Sequence, residues 1–455
     1  MKLSGALRAS AFALILAAVP AVGHAESLRQ ALESAYSNNP NIMSALLSVK
    51  ASAEDIARAK AAKLPQIGAE ANLNTTWSQV PGSGIQISDP ALRLSLGYSQ
   101  NLFDNFQTEA QIEGARAATE ASKYALRNEE QNVLLSAVQA YMNVVRDSQL
   151  VALRRDNVAF FEAQVDSSTN RLELGEGTKI EVSQAQARLA AATASYRAAQ
   201  ASLQTSQASY ERWIGHKPKN LSTDFKFGGV LPKSLDDAIA AGEENHPAIL
   251  SARAVIRIAQ ATSDGAAAAF GPSLSLSASV CGYGCFTGKP SQLGASGQVG
   301  FTLSVPIYRG GSLGATVRKA NLNQIKSEVD ALAARDQVRE AVISSWSTLQ
   351  NATAQITSAN SAVASGQLVV EGVVQERDVG QSTTLDVLNA QAELTQAREG
   401  LITATTSRII ASFALVAAAG RLSPAELGLN VEVKSADGYI ATVEDVWAEL
   451  RAIDE

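Results

Sequence analysis

The sequence predicts an α+β membrane protein built from a duplicated unit, in which a pair of amphipathic strands precedes a very long helix. Three observations support this fold class. The two halves of the 455-residue chain repeat the same residues, each half holds two strand-length segments of alternating hydrophobicity, and each half has a span of about 67 residues without proline or a turn cluster.

The N-terminal residues are typical of a secretory signal peptide. Lys2 and Arg8 precede an apolar run over 11–22, and small residues follow it directly before Glu26. We therefore expect residues 1–25 to be removed and the mature chain to begin near Glu26. No cysteine stands at the cleavage point, so no lipid anchor is expected there.

Composition narrows the class of protein further. Beyond the signal peptide no apolar stretch reaches the roughly 20 residues of a membrane-spanning helix, which argues against an α-helical membrane protein. The chain is rich in Ala, Ser and Gln, with 5% aromatic residues, 12 Pro and a net charge of -6. This composition is typical of long helices, and its mild acidity argues against a nucleic-acid partner.

The duplication is visible as a constant offset between the halves. Pro40 and Pro247 are 207 positions apart, and Tyr141 and Trp346 are 205 apart. The offset changes somewhere between Pro65 and Tyr141, and the turn-rich stretch from 81 to 90 lies in that interval, which predicts a surface loop there. A repeat of this length indicates a doubled domain, not a solenoid. At an offset of 205, seven residues recur. They are Gly175, Thr178, Val182, Ala185, Gln186, Ala187 and Leu189 in one half and Gly380, Thr383, Val387, Ala390, Gln391, Ala392 and Leu394 in the other.

Four segments alternate between apolar residues and small or polar residues, which is typical of strands with one apolar face. About ten residues at a 45° tilt cover ~23 Å, the height of the apolar band of an outer-membrane barrel. A pair of soluble hairpins packed on a core is the alternative interpretation, and the small, largely uncharged polar face favours a lumen wall. The predicted strands lie at about 66–76, 91–102, 273–281 and 296–307.

Four strands cannot close a membrane barrel, because the smallest such barrels have about eight strands. Several chains must therefore contribute strands to one barrel. This arithmetic leaves a dimer, a trimer and a tetramer open.

Each half continues into a predicted long helix, at about 105–171 and 311–378. At 1.5 Å per residue a helix of about 67 residues is ~100 Å long. Residues such as Val338, Val342 and Leu349 follow the spacing of a coiled coil. Many core positions hold Ala or Ser, which suits the wall of a helical tube, and a solid antiparallel bundle remains the alternative.

Glycine-containing turns at 172–178 and 378–383 end these helices, and return helices at 178–214 and 383–419 follow. The return helices are about half as long and stop midway. Short helices near Leu28 and Leu235 are expected to form a belt there with the segments 215–234 and 421–455. The domain prediction is therefore a first repeat over 26–234, a second over 235–420, and a C-terminal equatorial segment over 421–455.

Cys281 and Cys285 lie four residues apart in a Gly-rich stretch. In an exported protein this spacing favours a small loop disulfide, with two free thiols as the alternative. Two cysteines are too few for a metal site. No catalytic constellation or phosphate loop is visible, so neither an enzyme nor a cofactor is predicted, and His216 and His246 are interpreted as structural or exposed.

Several motifs resemble the TolC-type outer-membrane efflux family, over the whole mature chain. They are Leu102-Phe103-Asp104, the segment from Val305 to Gly311, Arg171 before the first turn, and the twin Gly-x-x-Thr-x-x-x-Val-x-x-Ala-Gln-Ala segments. The resemblance implies a homotrimer whose twelve strands form a barrel in outer-membrane lipid and whose helices form a periplasmic tunnel. It also implies docking to a periplasmic adaptor and an inner-membrane pump of the RND or ABC type.

The resemblance also assigns roles to residues at the helical tip. Asp386 and Glu181 would form an acidic gate, and Asn389, where a second acid is common, would weaken it. Both acids are also typical of ordinary helix starts. Arg377 and Ser382 stand where some members have a Tyr and Arg lock. The turns would contact the adaptor through Gly175, Gly177, Thr178, Gly380, Ser382 and Thr383.

The expected function is a passive exit duct for drugs and detergents, with a dedicated type I protein secretion duct as the alternative. Two rivals belong to other classes. A coiled-coil adhesin or stalk would have long heptads without a strand pair in each half, and a substrate-specific porin would have many more strands per chain.

Overall fold

The computed structural model describes residues 25–82, 84–87, 90–222, 229–285 and 294–444. The predicted signal peptide, except its last residue, and the end of the C-terminal segment lie outside the described residues.

The main sheet has four antiparallel strands in the order β1 (Gln66–Asn74), β4 (Ala91–Phe103), β5 (Ser273–Cys285) and β6 (Gly294–Ser304). The register pairs Ala69 with Leu96, Leu96 with Val280, and Ala278 with Val299, so the apolar residues of all four strands share one face. That face is open, since Leu96 is 54% exposed and Val299 74% exposed. An exposed apolar face of this height suits contact with lipid.

The surface loop predicted between residues 81 and 90 contains a strand. The short strands β2 (Trp77–Val80) and β3 (Gly84–Ile87) pair as an antiparallel hairpin, with Gly82 and Gly84 at positive φ in its turn. The insertion in the first repeat thus extends the strand pair instead of forming an irregular loop.

The predicted disulfide between Cys281 and Cys285 is wrong. Both residues lie on β5, where four residues span ~13 Å, whereas the Cα atoms of a disulfide lie within about 7 Å. Cys281 is a free thiol whose Sγ accepts a hydrogen bond from Nη2 of Arg93 at 3.4 Å. The glycines around the cysteines sit within an extended strand and do not form the tight loop that the spacing suggested.

Two helices of 67 residues leave the sheet, α3 (Gln107–Glu173) and α7 (Ser312–Asp378). A residue with positive φ precedes each one, Phe106 at 68° and Gly311 at 79°. Both helices begin and end 205 positions apart, so the duplication holds along their whole length. At 1.5 Å per residue each is ~100 Å long.

Six shorter helices pack along these two. They are α1 (Leu28–Asn38), α2 (Pro40–Ala61), α4 (Lys179–Ile214), α5 (Leu235–Asn245), α6 (Pro247–Ala268) and α8 (Thr384–Ala418). Only short helices were predicted near Leu28 and Leu235, so α2 and α6 are additional elements. Pro40 and Pro247 occupy the first helical position, where proline starts a helix, and the preceding Asn39 and His246 cap the helices.

The helices form one layer in which α3 and α7 are continuous and the others cover half of the length. Near the sheet the order is α2, α3, α6, α7, and toward the far end it is α4, α3, α8, α7. Thus α6 and α8 lie between the two long helices. One flank of α7 and the outer flanks of α2 and α4 are the edges of the layer.

One described helix, α8, is long and apolar enough to cross a membrane by length and composition, with a mean hydropathy of 1.6 over 18 residues. In the structure α8 lies along α7 and α3. Its residues Leu388 and Leu415 are fully buried, so its apolar composition serves helix packing.

The largest core lies at the middle of the layer, around the buried side chains of Tyr36, Tyr141 and Tyr210. The Tyr36 hydroxyl donates to Oε1 of Glu130 at 2.6 Å and accepts from the backbone N–H of Lys434 at 3.1 Å. Burial raises the pKa of the Glu130 carboxyl, although the hydrogen bond from Tyr36 opposes this shift.

The C-terminal segment is fastened to the outside of this core. Its helix α9 (Asp437–Glu444) forms ion pairs from Asp437 to Lys123 and from Glu444 to Arg116 and Lys60. These cations hold the pKa values of both carboxyls below their usual range.

Candidate gate and docking site at the helical tip

The end of the layer far from the sheet consists of two equivalent turns. After α3, Gly175 has φ 79° and the N–H of Glu176 donates to the carbonyl of Arg171 at 2.8 Å. After α7, Gly380 has φ 76° and the N–H of Gln381 donates to the carbonyl of Glu376 at 2.8 Å. A left-handed glycine with this six-residue hydrogen bond is a Schellman motif, which ends a helix within one turn.

The return helices start with equivalent capping boxes. The Thr178 hydroxyl accepts from the N–H of Glu181 at 3.2 Å, and Thr383 accepts from the N–H of Asp386 at 3.2 Å. Each acid in turn accepts from the backbone N–H of its threonine. The two predicted gate acids are therefore the third residues of their helices, and their carboxylates stabilise the helix starts.

Asp386 is exposed, and its Oδ2 atom accepts three hydrogen bonds. The donors are the Thr383 hydroxyl at 2.5 Å, the Thr383 N–H at 2.9 Å and the Ser382 hydroxyl at 3.2 Å. These donors lower the pKa of Asp386, with the Thr383 hydroxyl as the largest cause. Asp386 thus carries a negative charge at neutral pH.

Arg377 and Ser382 contact different partners. Nη1 of Arg377 donates to Oε1 of Gln164 at 3.0 Å, and its Nη2 forms an ion pair with Asp378 at 2.7 Å. The Arg377 side chain is only 14% exposed, so it fastens α7 to α3 just before the turn. Ser382 instead supports the Asp386 carboxylate.

The first turn is tightly packed at Gly177. A Cβ built on Gly177 would lie 3.1 Å from the backbone nitrogen of Leu172 and 3.2 Å from the backbone carbon of Arg171. Gly175 and Gly380 are open but need positive φ. Gly177 is therefore required for close approach, and the other two glycines for backbone conformation.

Sequence reasoning missed a polar network above the tip. Arg154 on α3 forms a bidentate ion pair with Glu399 on α8, from Nε to Oε1 at 2.7 Å and from Nη2 to Oε2 at 3.2 Å. This pair raises the pKa of Arg154. Asn157 accepts from the Thr395 hydroxyl at 3.0 Å. Arg188 on α4 donates to the Asn389 side chain at 2.8 Å, so the residue that replaces the second gate acid links α4 to α8.

A signal for part of this network was present in the duplication. Arg154 and Asn157 correspond at offset 205 to Ala359 and Ala362. A polar residue that occurs in only one copy marks a contact that only one copy makes. In the structure α3 has α8 on this flank, whereas the equivalent flank of α7 is an edge of the layer.

Two further features bear on what the tip can do. Beside the network lies a groove of about 310 Å³ lined by Leu153, Phe160, Gln367, Leu394 and Arg398. Among the described residues no group of three or more His, Cys, Asp or Glu side chains could hold a metal ion. The site therefore offers charge, hydrogen-bonding groups and exposed turns.

Comparison with known proteins agrees with this architecture. A family model described as outer membrane efflux protein matches residues 31–216 and 239–421, one match in each repeat. The chain is 35% identical over 449 residues to the outer membrane efflux protein BepC of Brucella suis, covering 98% of this chain and 97% of that protein. It is 24% identical over 434 residues to the outer membrane protein TolC of Escherichia coli, covering 91% and 86%.

A solved structure shows the same fold. The Campylobacter jejuni CmeC outer membrane channel superposes with a TM-score of 0.76 at 16% identity, covering 92% of this chain and 89% of that chain. The resemblance to TolC-type proteins is thus confirmed. The chain belongs to the outer membrane efflux protein family and is located in the outer membrane.

Proposed function

We propose that this chain is the outer-membrane exit duct of a tripartite system that exports drugs and detergents. The observation that carries the proposal is a sheet with an exposed apolar face that continues directly into helices of 67 residues. Such a chain can line one continuous path from the outer membrane deep into the periplasm. Channels of this family work with adaptors and inner-membrane pumps.

A homotrimer supplies the missing parts of the channel wall. The strands β1 and β6 are the unpaired edges of the described sheet, and β6 of one chain can pair with β1 of the next. Three chains give twelve strands, and channels of this family form trimers. Arranging three chains around a common axis also brings the free flank of α7 in one chain beside α2 and α4 of its neighbour.

The wall chemistry suits passive transport. Ser275, Ser277, Ser279, Ser95 and Gly97 lie on the face opposite the apolar residues. Small hydroxyl and backbone groups bind passing molecules weakly, so cargo selection belongs to the pump. This is the chemistry of a conduit and not of a catalyst.

We assign the gate to Asp386, Glu181 and Arg377. Three copies of the exposed Asp386 carboxylate at a narrow tip would attract cations, while Arg377 holds α7 to α3 in the closed arrangement. The adaptor would contact the exposed turns through Gly175, Gly177, Thr178, Gly380, Ser382 and Thr383. The inner-membrane pump, of RND or ABC type, would drive export.

Single-channel recordings in planar bilayers test the gate. Asp386→Asn keeps an oxygen that can accept from Thr383 but removes the charge, so we expect weaker cation preference. Thr383→Val is the matched control, because it removes the cap hydroxyl and leaves the charge. Equal cation preference in wild type and Asp386→Asn would exclude Asp386 from the gate.

A deletion strain tests the export role. Loss of the protein should sensitise cells to detergents and dyes, and the wild-type gene should restore resistance. Normal resistance combined with the loss of a secreted polypeptide would instead indicate a type I secretion duct. Photocrosslinking from Thr178 and Thr383 in live cells should capture the adaptor and identify the pump system.

A further inference from the structure

The contact between α3 and α6 is an internal template for a second contact that the single chain lacks. These helices run antiparallel and approach closely through small residues. A Cβ built on Gly114 would lie 3.6 Å from the Cβ of Ala261, and one built on Gly265 would lie 3.6 Å from the Cβ of Ala110. An ion pair between Glu120 and Arg257 lies further along the same contact.

The duplication maps this contact onto α7 and α2. Both ends of α2 and α6 differ by 207, and both ends of α3 and α7 differ by 205. At these offsets Gly114 and Ala261 correspond to Lys319 and Glu54. The chain cannot make this contact with itself, because α7 and α2 lie at opposite edges of the layer.

We infer that α7 of one copy packs against α2 of the next copy in the register of the α3 and α6 contact, with Lys319 of one copy paired with Glu54 of the other. This inference rests on the proposed homotrimer. It identifies which residues meet between copies, and it predicts that the contact differs in chemistry from its internal template. Small residues make the contact within the chain, whereas a pair of opposite charges makes the equivalent contact between chains.

The charged groups are available for this pairing. Lys319 is exposed and forms no ion pair within the part of the chain that the structure describes. Glu54 is exposed, and its Oε1 atom accepts from the Tyr439 hydroxyl at 2.7 Å, so the carboxylate is already oriented by α9. A Lys and a Glu whose backbones are this close can form a direct ion pair.

The apolar residues further along the two edges fit the same register. Leu332 and Val329 on α7 are 60% and 58% exposed, and Met43 and Leu47 on α2 are 45% and 46% exposed. Continuing the antiparallel register from Lys319 and Glu54 places Val329 within one helical turn of Leu47 and Leu332 within one helical turn of Met43. Exposed apolar residues that match in this way indicate an interface between protein surfaces.

A second copy is the occupant that fits both edges. The α7 edge carries one residue of each matched pair and the α2 edge carries the other. When the α7 edge of each copy joins the α2 edge of the next copy, repeating this contact around an axis gives a closed ring. The β1 and β6 strands join unlike edges in the same sense, so the helical contact continues the contact between the sheets.

Disulfide trapping tests the register. In a background of Cys281→Ser and Cys285→Ser, Glu54→Cys combined with Lys319→Cys should form disulfides on mild oxidation, because the template Cβ separation of 3.6 Å suits that bond. We expect covalent trimers on a denaturing gel that reductant converts to monomers. Each single-cysteine variant should run as a monomer on the same denaturing gel. Glu54→Cys with Lys326→Cys, about 10 Å further along α7, is the matched register control.

The outcomes separate this inference from the proposed function. Size-exclusion chromatography with light scattering gives the oligomeric state of the same samples in detergent. A trimer in which the Glu54 and Lys319 variants do not crosslink, or in which the Lys326 control crosslinks equally well, overturns the register and leaves the duct intact. A monomer overturns the trimeric duct itself.

Discussion

The strongest prediction concerns Leu388, which is fully buried in a small cluster close to the tip. It lies on α8 and contacts a cluster that includes Phe161 on α3 and Ala192 on α4. These contacts hold one return helix against a long helix and against the other return helix. We expect Leu388→Ala to loosen the packing of the tip without changing its charge.

The magnitude follows from the buried volume. Removing three carbon groups at about 0.8 kcal/mol each costs about 2.4 kcal/mol of transfer free energy. The cavity left behind raises the total into the range of about 2–5 kcal/mol that is typical of buried Leu→Ala changes. At 1.4 kcal/mol per factor of ten, a loss of about 3 kcal/mol increases the population of locally open tips roughly 100-fold.

Amide hydrogen exchange of residues 382–395 and single-channel conductance measure this change. Leu385→Ala is the matched control, because Leu385 lies on the same turn of α8 but is 39% exposed. We expect fast exchange and frequent openings for Leu388→Ala and near wild-type behaviour for Leu385→Ala. Equal exchange rates for the two variants would falsify the assignment of this cluster as the anchor of the tip.

The remaining predictions concern single polar contacts and one glycine. Tyr36→Phe removes a donor to Glu130 and should cost about 1–3 kcal/mol at neutral pH. Because burial raises the pKa of Glu130, ionisation of this carboxyl costs stability as pH rises. The Tyr36 hydrogen bond favours the ionised form, so the loss on Tyr36→Phe should be larger at pH 8 than at pH 5 in thermal unfolding. Gly380→Ala should cost about 1–2 kcal/mol through its positive φ and speed exchange at the second turn, with Gly380→Asn milder. Arg154→Met and Glu399→Gln should each raise channel opening, and the double variant should add little, since both remove one contact; additive effects would refute the coupling.

The sequence predicted the parts of the fold that depend on local pattern. Alternation identified the four sheet strands, because each strand carries apolar side chains on one face and mostly small or polar side chains on the other. The absence of proline and turn residues between Gln107 and Glu173 gave the length of α3 within two residues at either end. Duplicated glycines located both turns, since Gly175 and Gly380 need positive φ.

Other features depend on context that local pattern does not contain. Pro40 and Pro247 were visible only as a repeated pair of residues, whereas the capping contacts of Asn39 and His246 show that a helix begins at each proline. The Gly-rich segment around Cys281 is extended because β4 and β6 pair with it on both sides.

The candidate site likewise has some residues that a local pattern predicts and some contacts that depend on the tertiary structure. The gate roles of Asp386 and Glu181 came from the family resemblance, whereas their capping positions follow from the spacing after a threonine, which is a local signal. The contact from Arg377 to Gln164 joins residues 213 positions apart, and that from Arg154 to Glu399 joins residues 245 apart. Their pairing depends on the axial register of α3 against α7 and α8, which no short segment specifies.

The half-length helices allow the two ends of the helical layer to move independently. Only α3 and α7 cross the middle of the layer, whereas α2 and α6 stop on one side and α4 and α8 on the other. Swinging α4 and α8 outward would break their contacts with the distal halves of the long helices and leave the sheet-side packing untouched. The core around Tyr36, Tyr141 and Tyr210 would then stay in place, so the far end of the layer could separate while the sheet keeps its shape.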